Sequence, residues 1–318
     1  MGQPFFQQCS PVHLRTLSAI SEAGSFSQAA RDLGVKQPGV HRAARDLSAL
    51  ASIDFFEQSG GRTSLTAAAE AFLTHVKLAN GEFRQSVFEI NELLGTESTK
   101  INVGSMPLSR TNILPEAITQ LTGEFGAAVQ VNCVDARYET LLSDVRSSDI
   151  DFLLGALRHP APASDVEQEV LIEDRLVIIV SPGHPLASQE AVSLEDTRAY
   201  PWIAPPKNTP TGAYLFKALG IGDLDTTPVR VISSSLVLMR GMLSRGQYVS
   251  IASERQVQVE VDLGVFEKLP IELPGSERKI GLTYRSDWVP TPYQNRFLDI
   301  IRQVVKSSAA IHDNNNFE

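Results

Sequence analysis

The feature that most constrains the fold is the stretch from residue 25 to residue 50, SFSQAARDLGVKQPGVHRAARDLSAL. Small and apolar residues recur at helical spacing on both sides of Gly34, where a helix needs a residue that tolerates positive φ in order to end. Pro38 falls in the first turn of the second segment, where its missing N–H is not needed. The pattern predicts a helix-turn-helix whose second helix is suited to lie in a DNA major groove. A hairpin used only for packing or dimerisation is the alternative.

The start of the second helix carries side chains suited to read bases. Arg42 could bond guanine and Gln37 could bond adenine, because both can make paired hydrogen bonds to a base edge. For Arg42 the alternative is a surface ion pair with Asp46, one turn further along. Hydroxyl and basic side chains on the first helix could hold backbone phosphates. The residues predicted to bind DNA are Ser25, Ser27, Arg31, Gln37, Pro38, His41, Arg42, Arg45 and Arg62.

The charge of the chain is unevenly distributed. The formal net charge is −9, yet residues 1–66 hold six basic and five acidic side chains. The acidic remainder should repel nucleic acid and leave only the N-terminal part to contact it. No apolar run reaches membrane-spanning length and the start does not resemble a secretory signal, so we expect a cytoplasmic protein without a membrane partner. Cys9, Cys133 and the histidines show no metal-ligand spacing, so no metal or cofactor is expected.

Two further segments follow the helix-turn-helix. Residues 55–65 indicate two short strands around Gly60-Gly61, which predicts a wing. Residues 67–94 contain no proline and place apolar residues at successive spacings of four, three, four, four, three and four, which is typical of a coiled-coil seam. A helix of that length needs a partner, so we expect it to dimerise; a solitary helix packed on its own domain is the alternative. The seam residues are Phe72, Val76, Ala79, Phe83, Val87, Ile90 and Leu94.

From residue 101 onward, strand patterns alternate with helix patterns, which indicates open α/β sheets. The predicted strands are 101–103, 129–134 and 152–154 in a first lobe and 202–204, 229–232 and 249–252 in a second. A crossover at 171–180 leads to the second lobe, and the strand 280–284 and the helix 293–305 return to the first. Two crossovers predict a two-lobed, periplasmic-binding-protein-like α/β domain after an all-α winged helix. The predicted domains are a winged helix-turn-helix at 1–66, a dimerising linker helix at 67–95, a two-lobed ligand-binding domain at 100–310 and a disordered tail at 311–318.

Polar segments follow the predicted strands of both lobes and open helices. In open α/β sheets ligands bind beyond the carboxyl ends of strands, and helix starts offer N–H groups and hydroxyls to carboxylate, sulfonate or sugar oxygens. Simple N-capping is the alternative for each serine. The sequence contains no nucleophile-elbow, zinc-protease or P-loop motif, so an enzyme is not expected. The residues predicted to bind a small molecule are Ser105, Met106, Pro107, Leu108, Asp135, Tyr138, Pro205, Thr209 and Ser234.

Residues 12–73 resemble the N-terminal winged helix of LysR-type transcriptional regulators. The similarity rests on LRTLSAISEAGSFSQAARDLGVKQPGVHRAARDL, on FFE at 55–57 and on SLTAAAEAFL. It implies a DNA-binding regulator that is controlled by a small-molecule effector and works as a homodimer that pairs into a tetramer. The wing departs from the family pattern, because Gln58, Gly61 and Ser64 stand where basic residues are usual. Arg62 is therefore the phosphate contact that the wing retains.

Later segments narrow the resemblance to one branch of that family. The stretches GALRHPAP, QEVLIEDRLVIIVSPGHPLA and IGLTYRSDWVPTPYQNRFLDIIRQV are similar to the branch typified by the galactose-binding-protein regulators. This resemblance implies a sugar or sugar acid as the favoured effector, with aromatic acids and sulfonates as alternatives. A free-standing solute-binding protein without a DNA function is the other class that the two-lobed pattern fits, and the N-terminal helix-turn-helix argues against it.

Overall fold

The structure is a computed structural model that describes residues 5, 8–59, 62–76, 79, 86, 90, 99–221 and 227–315. Contacts group the chain into two compact units, Met1–Glu97 with Ser143–Asp149, and Ser98–Leu142 with Ile150–Glu318. The first unit contains the N-terminal head and the second contains the two-lobed domain.

Helices and a two-stranded hairpin form the described part of the head. The helices are α1 (Pro11–Ala23), α2 (Phe26–Asp32) and α3 (Gln37–Ala51), and strands β1 (Phe56–Ser59) and β2 (Arg62–Leu65) pair antiparallel. Gly34 has a φ of 66°, the left-handed conformation predicted for the turn between α2 and α3. Val40, Ala43, Ala44 and Leu47 are buried on α3, and the two alanines let the helices approach closely. The predicted helix-turn-helix and wing are both confirmed.

The core of the head includes a residue from the N-terminal segment that the sequence pattern did not single out. Phe5 is only 2% exposed and packs with Leu17, Leu47 and Phe55. Its ring lies edge-on to Phe72, with 5.4 Å between the ring centroids. Phe5 therefore closes the head core, although it lies outside the helix-turn-helix.

The predicted linker helix begins at the head. Residues 67–76 are helical, and Thr66 caps their start by accepting a hydrogen bond from the Ala69 amide at 3.3 Å. Residues 79, 86 and 90 are also helical, and Ile90 is 55% exposed in the single chain. Phe83, Val87 and Leu94 lie outside the described residues, so the coiled-coil seam stays a prediction.

The second unit consists of two five-stranded sheets with helices around them. The strands are β3 (Thr99–Ser105), β4 (Val129–Asp135), β5 (Phe152–Ala156), β6 (Val166–Asp174), β7 (Leu176–Val180), β8 (Trp202–Ala204), β9 (Val229–Ile232), β10 (Val249–Ser253), β11 (Glu267–Lys268) and β12 (Arg278–Arg285). The first sheet has the order β4-β3-β5-β12-β6 and the second has the order β11-β7-β10-β8-β9. The helices are α4 (Ile113–Phe125), α5 (Tyr138–Arg146), α6 (Pro210–Ala218), α7 (Leu236–Leu243), α8 (Glu254–Asp262) and α9 (Pro292–Asn315).

Parallel and antiparallel strands have separate places in each sheet. In the first lobe β4, β3 and β5 run parallel, and β12 pairs antiparallel with both β5 and β6. In the second lobe β9, β8 and β10 run parallel, and β7 pairs antiparallel with β10. The chain crosses between lobes from β6 to β7 and from β11 to β12, so the predicted two-lobed architecture is confirmed.

The C-terminal helix corrects one prediction. The sequence predicts a disordered tail at 311–318, but α9 continues as a helix to Asn315, and residues 316–318 lie outside the described residues. Its first part packs on the first lobe, where Tyr293 meets the ring of Phe125 with centroids 4.9 Å apart. Helical propagation from this anchored segment explains the extension, since each added residue gains a hydrogen bond once a helix exists.

Polar side chains meet where β6 crosses to β7. The carboxylate of Asp174 is buried and accepts hydrogen bonds from Ser253 Oγ at 2.7 Å and Arg278 Nε at 2.9 Å. Arg278 also lies 3.3 Å from the hydroxyl of Thr211 on α6. Asp174 and Arg278 belong to strands of the first lobe, whereas Ser253 and Thr211 belong to the second. We call these four side chains the crossover cluster, and they tie the lobes together.

Glu254 forms a second buried ion-pair site next to this cluster. Its carboxylate binds Arg175 Nε and Lys268 Nζ, each at 2.8 Å, and its side chain is 8% exposed. Burial alone would raise the pKa of Glu254, but the hydrogen bonds from Arg175 and Lys268 lower this pKa to about 2. Because the pKa in the folded chain lies below the ordinary glutamate value of 4.5, the ionised carboxylate stabilises the fold at neutral pH.

This shift predicts a defined acid sensitivity. The contribution of Glu254, about 3 kcal/mol, should be complete above pH ~4.5 and disappear as the pH falls towards ~2. Urea unfolding of wild type and Glu254→Gln at about pH 7 and about pH 3 measures it. We expect the difference in unfolding free energy between the two proteins to shrink at the lower pH. Glu195→Gln, which removes an exposed partner of Arg198, is the control and should show no such convergence. Parallel losses in wild type and Glu254→Gln would contradict the assignment.

Candidate DNA-binding face and effector site

One face of α3 presents polar and basic side chains away from the head core. Gln37, Pro38, His41, Arg42 and Arg45 are all exposed, whereas the apolar residues of the same helix are buried. Together with Asp46, they line an open hollow of about 480 Å³. The arrangement brings five of the nine predicted DNA-binding residues onto one continuous surface.

The side chain of His41 is held in place by its neighbours. Its ring stacks on Phe26 with centroids 4.2 Å apart and planes within 18°. Gln37 Nε2 lies 3.3 Å from His41 Nε2. Phe26 in turn packs against Phe56 of the wing strand, with 5.7 Å between the ring centroids. This stack couples the orientation of the α3 surface to α2 and to the wing.

The two arginines of α3 have no acidic partner among the described residues. The ion pair between Arg42 and Asp46, which was the alternative for this residue, is not formed in the described part of the chain. Two charged side chains therefore project from the helix face that also carries Gln37. A guanidinium group without a local partner can bind a base edge or a phosphate without first breaking an ion pair.

The remaining predicted DNA contacts have mixed surroundings. Ser25 caps α2 by accepting a hydrogen bond from the Gln28 amide at 3.2 Å, while Ser27 is exposed. Arg31 Nε donates to Gln28 Oε1 at 3.1 Å and stays on the exposed surface of α2. Arg62 begins β2, but its side chain lies outside the described residues.

On the wing, Ser64 offers its hydroxyl to Glu57 at 3.4 Å. A carboxylate and a hydroxyl therefore occupy paired positions of this hairpin, where the resemblance would place a basic residue. The wing is for this reason less suited than α3 to attract phosphates.

At the carboxyl edge of the first sheet, an arginine that the sequence pattern did not indicate organises two predicted ligand contacts. Ser105 is 1% exposed, and its hydroxyl donates to Val134 O at 3.3 Å and accepts from Arg110 Nε at 3.0 Å. Arg110 also forms an ion pair with Asp135. The hydroxyl of Ser105 and the charge of Asp135 are thus already satisfied within the protein.

The short 3-10 turn after β3 is partly core. Leu108 is 4% exposed and packs with Ala156 and Ile280, so it presents no surface to a ligand in this conformation. Met106 and Pro107 are half-buried, and Met106 covers Gly155 on the neighbouring strand. The apolar side chain of Leu108 is drawn inward because its burial removes it from water.

The ligand contacts predicted in the second lobe are partly engaged within the protein and partly exposed. Pro205 is buried, and Thr209 caps α6 by accepting from the Gly212 amide at 3.1 Å while donating to Pro206 O at 2.7 Å. Ser234 is exposed at the end of β9. Of these three, Ser234 alone keeps a polar side chain available on the surface.

Tyr138, the last predicted contact, lies beneath an arginine. The guanidinium carbon of Arg158 is 4.0 Å from the centroid of its ring. The Tyr138 hydroxyl is buried and has no hydrogen-bond partner among the described residues. Burial raises the pKa of Tyr138, and the nearby Arg158 charge opposes this only in part.

Neither a metal site nor a membrane helix is found in the described part of the chain. No group of three or more potential metal-ligating side chains comes together there. The described helices also lack the combination of length and apolar composition that crossing a bilayer requires.

The fold and these surfaces define a class: a winged helix-turn-helix head with a linker and a two-lobed ligand-binding domain is a ligand-responsive DNA-binding regulator. Residues 11–70 match the family described as "Bacterial regulatory helix-turn-helix protein, lysR family", and residues 94–306 match the "LysR substrate binding domain". The chain belongs to the LysR family of DNA-binding transcriptional regulators. The resemblance found in the sequence is confirmed, and the alternative of a solute-binding protein without a DNA function is not supported.

Individual relatives support the assignment of the chain to this family. The chain is 30% identical over 308 residues to the HTH-type transcriptional regulator GalR of Pseudomonas putida, covering 96% of this chain and 74% of that protein. It is 26% identical to the regulator PcaQ of Agrobacterium fabrum, covering 92% and 93% of the two chains.

Solved structures of full-length regulators share the fold. A full-length OxyR point variant from Pseudomonas aeruginosa superposes with a TM-score of 0.62 at 19% identity, covering 93% of this chain and 94% of that one. CbnR, a LysR family regulator, has a TM-score of 0.61 at 19% identity, covering 92% and 98%.

Proposed function

We propose that this regulator reads its operator through the exposed face of α3 and changes its DNA binding when a small-molecule effector binds the two-lobed domain. The observation that carries the proposal is the surface on which Gln37, His41, Arg42 and Arg45 lie together, with the two arginines lacking acidic partners among the described residues. In a helix-turn-helix, side chains near the start of the second helix contact base edges.

Within this surface, Arg42 is proposed to contact a base. Arg42→Ala should weaken binding to the operator by about 1–3 kcal/mol and binding to random duplex DNA far less, because a base contact contributes only at the correct sequence. Fluorescence polarisation with labelled operator and random duplexes at one fixed salt concentration measures both affinities. Arg15→Ala, which removes an exposed arginine on α1, is the matched control and should preserve both. Equal losses on the two DNAs would identify Arg42 as a phosphate contact instead.

The phosphate contacts are assigned to the edges of this surface. Ser27 and Arg31 on α2, with Arg45 on α3 and Arg62 on the wing, are proposed to hold the backbone on either side of the bases. Ser25 contributes through the helix start that it caps, where free amides can meet a phosphate.

The proposed assembly is a homodimer joined by the linker helix at 67–95, with dimers pairing into tetramers. The exposure of Ile90 supports this assembly, because a dimer is stabilised when apolar side chains of the predicted seam are buried against a second helix. A dimer holds two heads together, so it can bind two half-sites of an operator at once, which a single head cannot do.

The effector is proposed to bind in the domain at 100–310, near the carboxyl ends of the strands. Sugars and sugar acids are favoured by the sequence resemblance, with aromatic acids and sulfonates as the other classes. Ser234, which is exposed, and Tyr138, whose buried hydroxyl has no partner among the described residues, support this placement. Titrating operator affinity against members of each class tests effector control, and an affinity that no compound changes would contradict it.

A further inference from the structure

Two arginines at the carboxyl edge of the first sheet differ in how their charges are balanced. Arg110, after β3, forms an ion pair with Asp135 and hydrogen bonds with Ser105. Arg158, two residues beyond β5, is half-buried, and its side chain donates a hydrogen bond to Ala156 O at 3.3 Å. No acidic side chain pairs with Arg158 among the described residues. A half-buried cation without an anion is unfavourable, so this edge is suited to accept one.

A second unsatisfied group lies directly beneath Arg158. Tyr138 follows β4, and β3 lies between β4 and β5 in the sheet, so the contact between Arg158 and Tyr138 spans three neighbouring strand ends. The buried Tyr138 hydroxyl has no hydrogen-bond partner among the described residues. Leaving a buried donor unpaired destabilises a protein, and an incoming oxygen ligand would remove that penalty.

We infer that the effector is an organic acid whose carboxylate is bound by Arg158, with the Tyr138 hydroxyl donating a second hydrogen bond. The inference rests on the proposed effector control and narrows its chemistry. A guanidinium matches a carboxylate with two parallel N–H···O bonds, whereas a neutral sugar hydroxyl cannot neutralise the charge. Sugar acids and aromatic acids fit this site, and neutral sugars do not.

Matched pairs of probes test the charge requirement on the full-length protein. Galactonate is compared with galactose and benzoate with benzyl alcohol, and inorganic sulfate serves as a small anion. Thermal unfolding is followed at increasing concentrations of each probe, because a ligand that binds the native state raises its stability. We expect at least one anion to raise the melting temperature and its neutral counterpart to have no effect. A larger shift with a neutral member than with its acid would overturn the inference.

Three variants then test the two residues. Arg158→Gln should weaken binding of the stabilising anion about ten- to hundredfold, the effect of losing hydrogen bonds to a charged group. Tyr138→Phe should weaken it about two- to tenfold, yet leave the melting temperature without probe unchanged or higher, since it removes an unpaired hydroxyl. Arg137→Gln removes an exposed arginine from the same edge and is the control, with unchanged binding expected. An anion that binds Arg158→Gln as tightly as wild type overturns the inference, as does the absence of Arg158-dependent binding for all three anions.

Operator affinity measured in parallel separates this inference from the proposed effector control. A neutral compound that alters operator affinity equally in wild type and Arg158→Gln would support effector control and overturn the acid assignment. If no compound alters operator affinity, effector control fails, and the thermal shifts still decide whether Arg158 binds acids.

Discussion

Replacing Arg278 with alanine is expected to lower the unfolding free energy of the two-lobed domain by about 3–5 kcal/mol, because the substitution leaves a buried carboxylate without its cation. The side chain of Asp174 is fully buried, and Arg278 Nε lies 2.9 Å from it. Both tryptophans, Trp202 and Trp288, belong to this domain, so the urea dependence of tryptophan fluorescence in the full chain reports its unfolding.

Two comparisons make the Arg278 experiment specific. Arg296→Ala removes an ion pair with Glu124 in which both side chains are about 40% exposed, and it should change stability far less than Arg278→Ala, because solvent screens an exposed pair. Adding Asp174→Asn to Arg278→Ala should recover part of the loss, because a neutral amide replaces the uncompensated charge. Similar losses for Arg278→Ala and Arg296→Ala would show that the crossover cluster contributes no more than a surface pair.

Replacing Phe5 with alanine is expected to destabilise the head by about 3–5 kcal/mol, because it opens a cavity in a core that contains few side chains. Phe5 is 2% exposed and packs among Leu17, Leu47 and Phe55. Operator affinity at a raised temperature should fall as the head unfolds. The tryptophan transition should not move, since neither tryptophan lies in the head. Circular dichroism during heating, together with fluorescence polarisation on the operator, measures the head.

The control for the Phe5 experiment is Val12→Ala. Val12 is 63% exposed on α1, so its truncation should alter head stability by less than ~0.5 kcal/mol. A Phe5→Ala head as stable as the Val12→Ala head would contradict the role of Phe5 in the core. A shift of the tryptophan transition in Phe5→Ala would show that the loss is not confined to the head.

The periodic elements could be predicted because their signals are local. The helix-turn-helix follows from the spacing of Ala29, Val40 and Leu47 around Gly34, and neighbours a few residues apart set both helices. The alternation of strands and helices beyond residue 100 likewise predicted the parallel strands and the return of the last strand to the first lobe. The candidate DNA contacts on α3 lie on one exposed face, because helical periodicity also decides which residues point away from a core.

Local sequence patterns predict the candidate effector site less well than the helix-turn-helix. Strand ends can be predicted from a sequence, and the positions of Ser105, Leu108 and Thr209 after strands predict them as ligand contacts. Each of these is engaged inside the protein, by Arg110, by the core and by helix capping respectively. Whether a polar or apolar side chain at a strand end faces a ligand or a neighbour depends on which elements pack beside it, and no local pattern carries that information.

The sequence by itself determined the class of this protein: a DNA-reading head, a linker and a two-lobed domain, each encoded by periodicity, capping residues and turns. The tertiary structure alone decided which distant groups meet. It placed Phe5 in the head core, paired Asp174 with Arg278 from 104 residues away and laid Arg158 over Tyr138. Such contacts arise when the strand order of a sheet brings remote segments together. Their energies come from burial and ion pairing that exist only after the chain has folded.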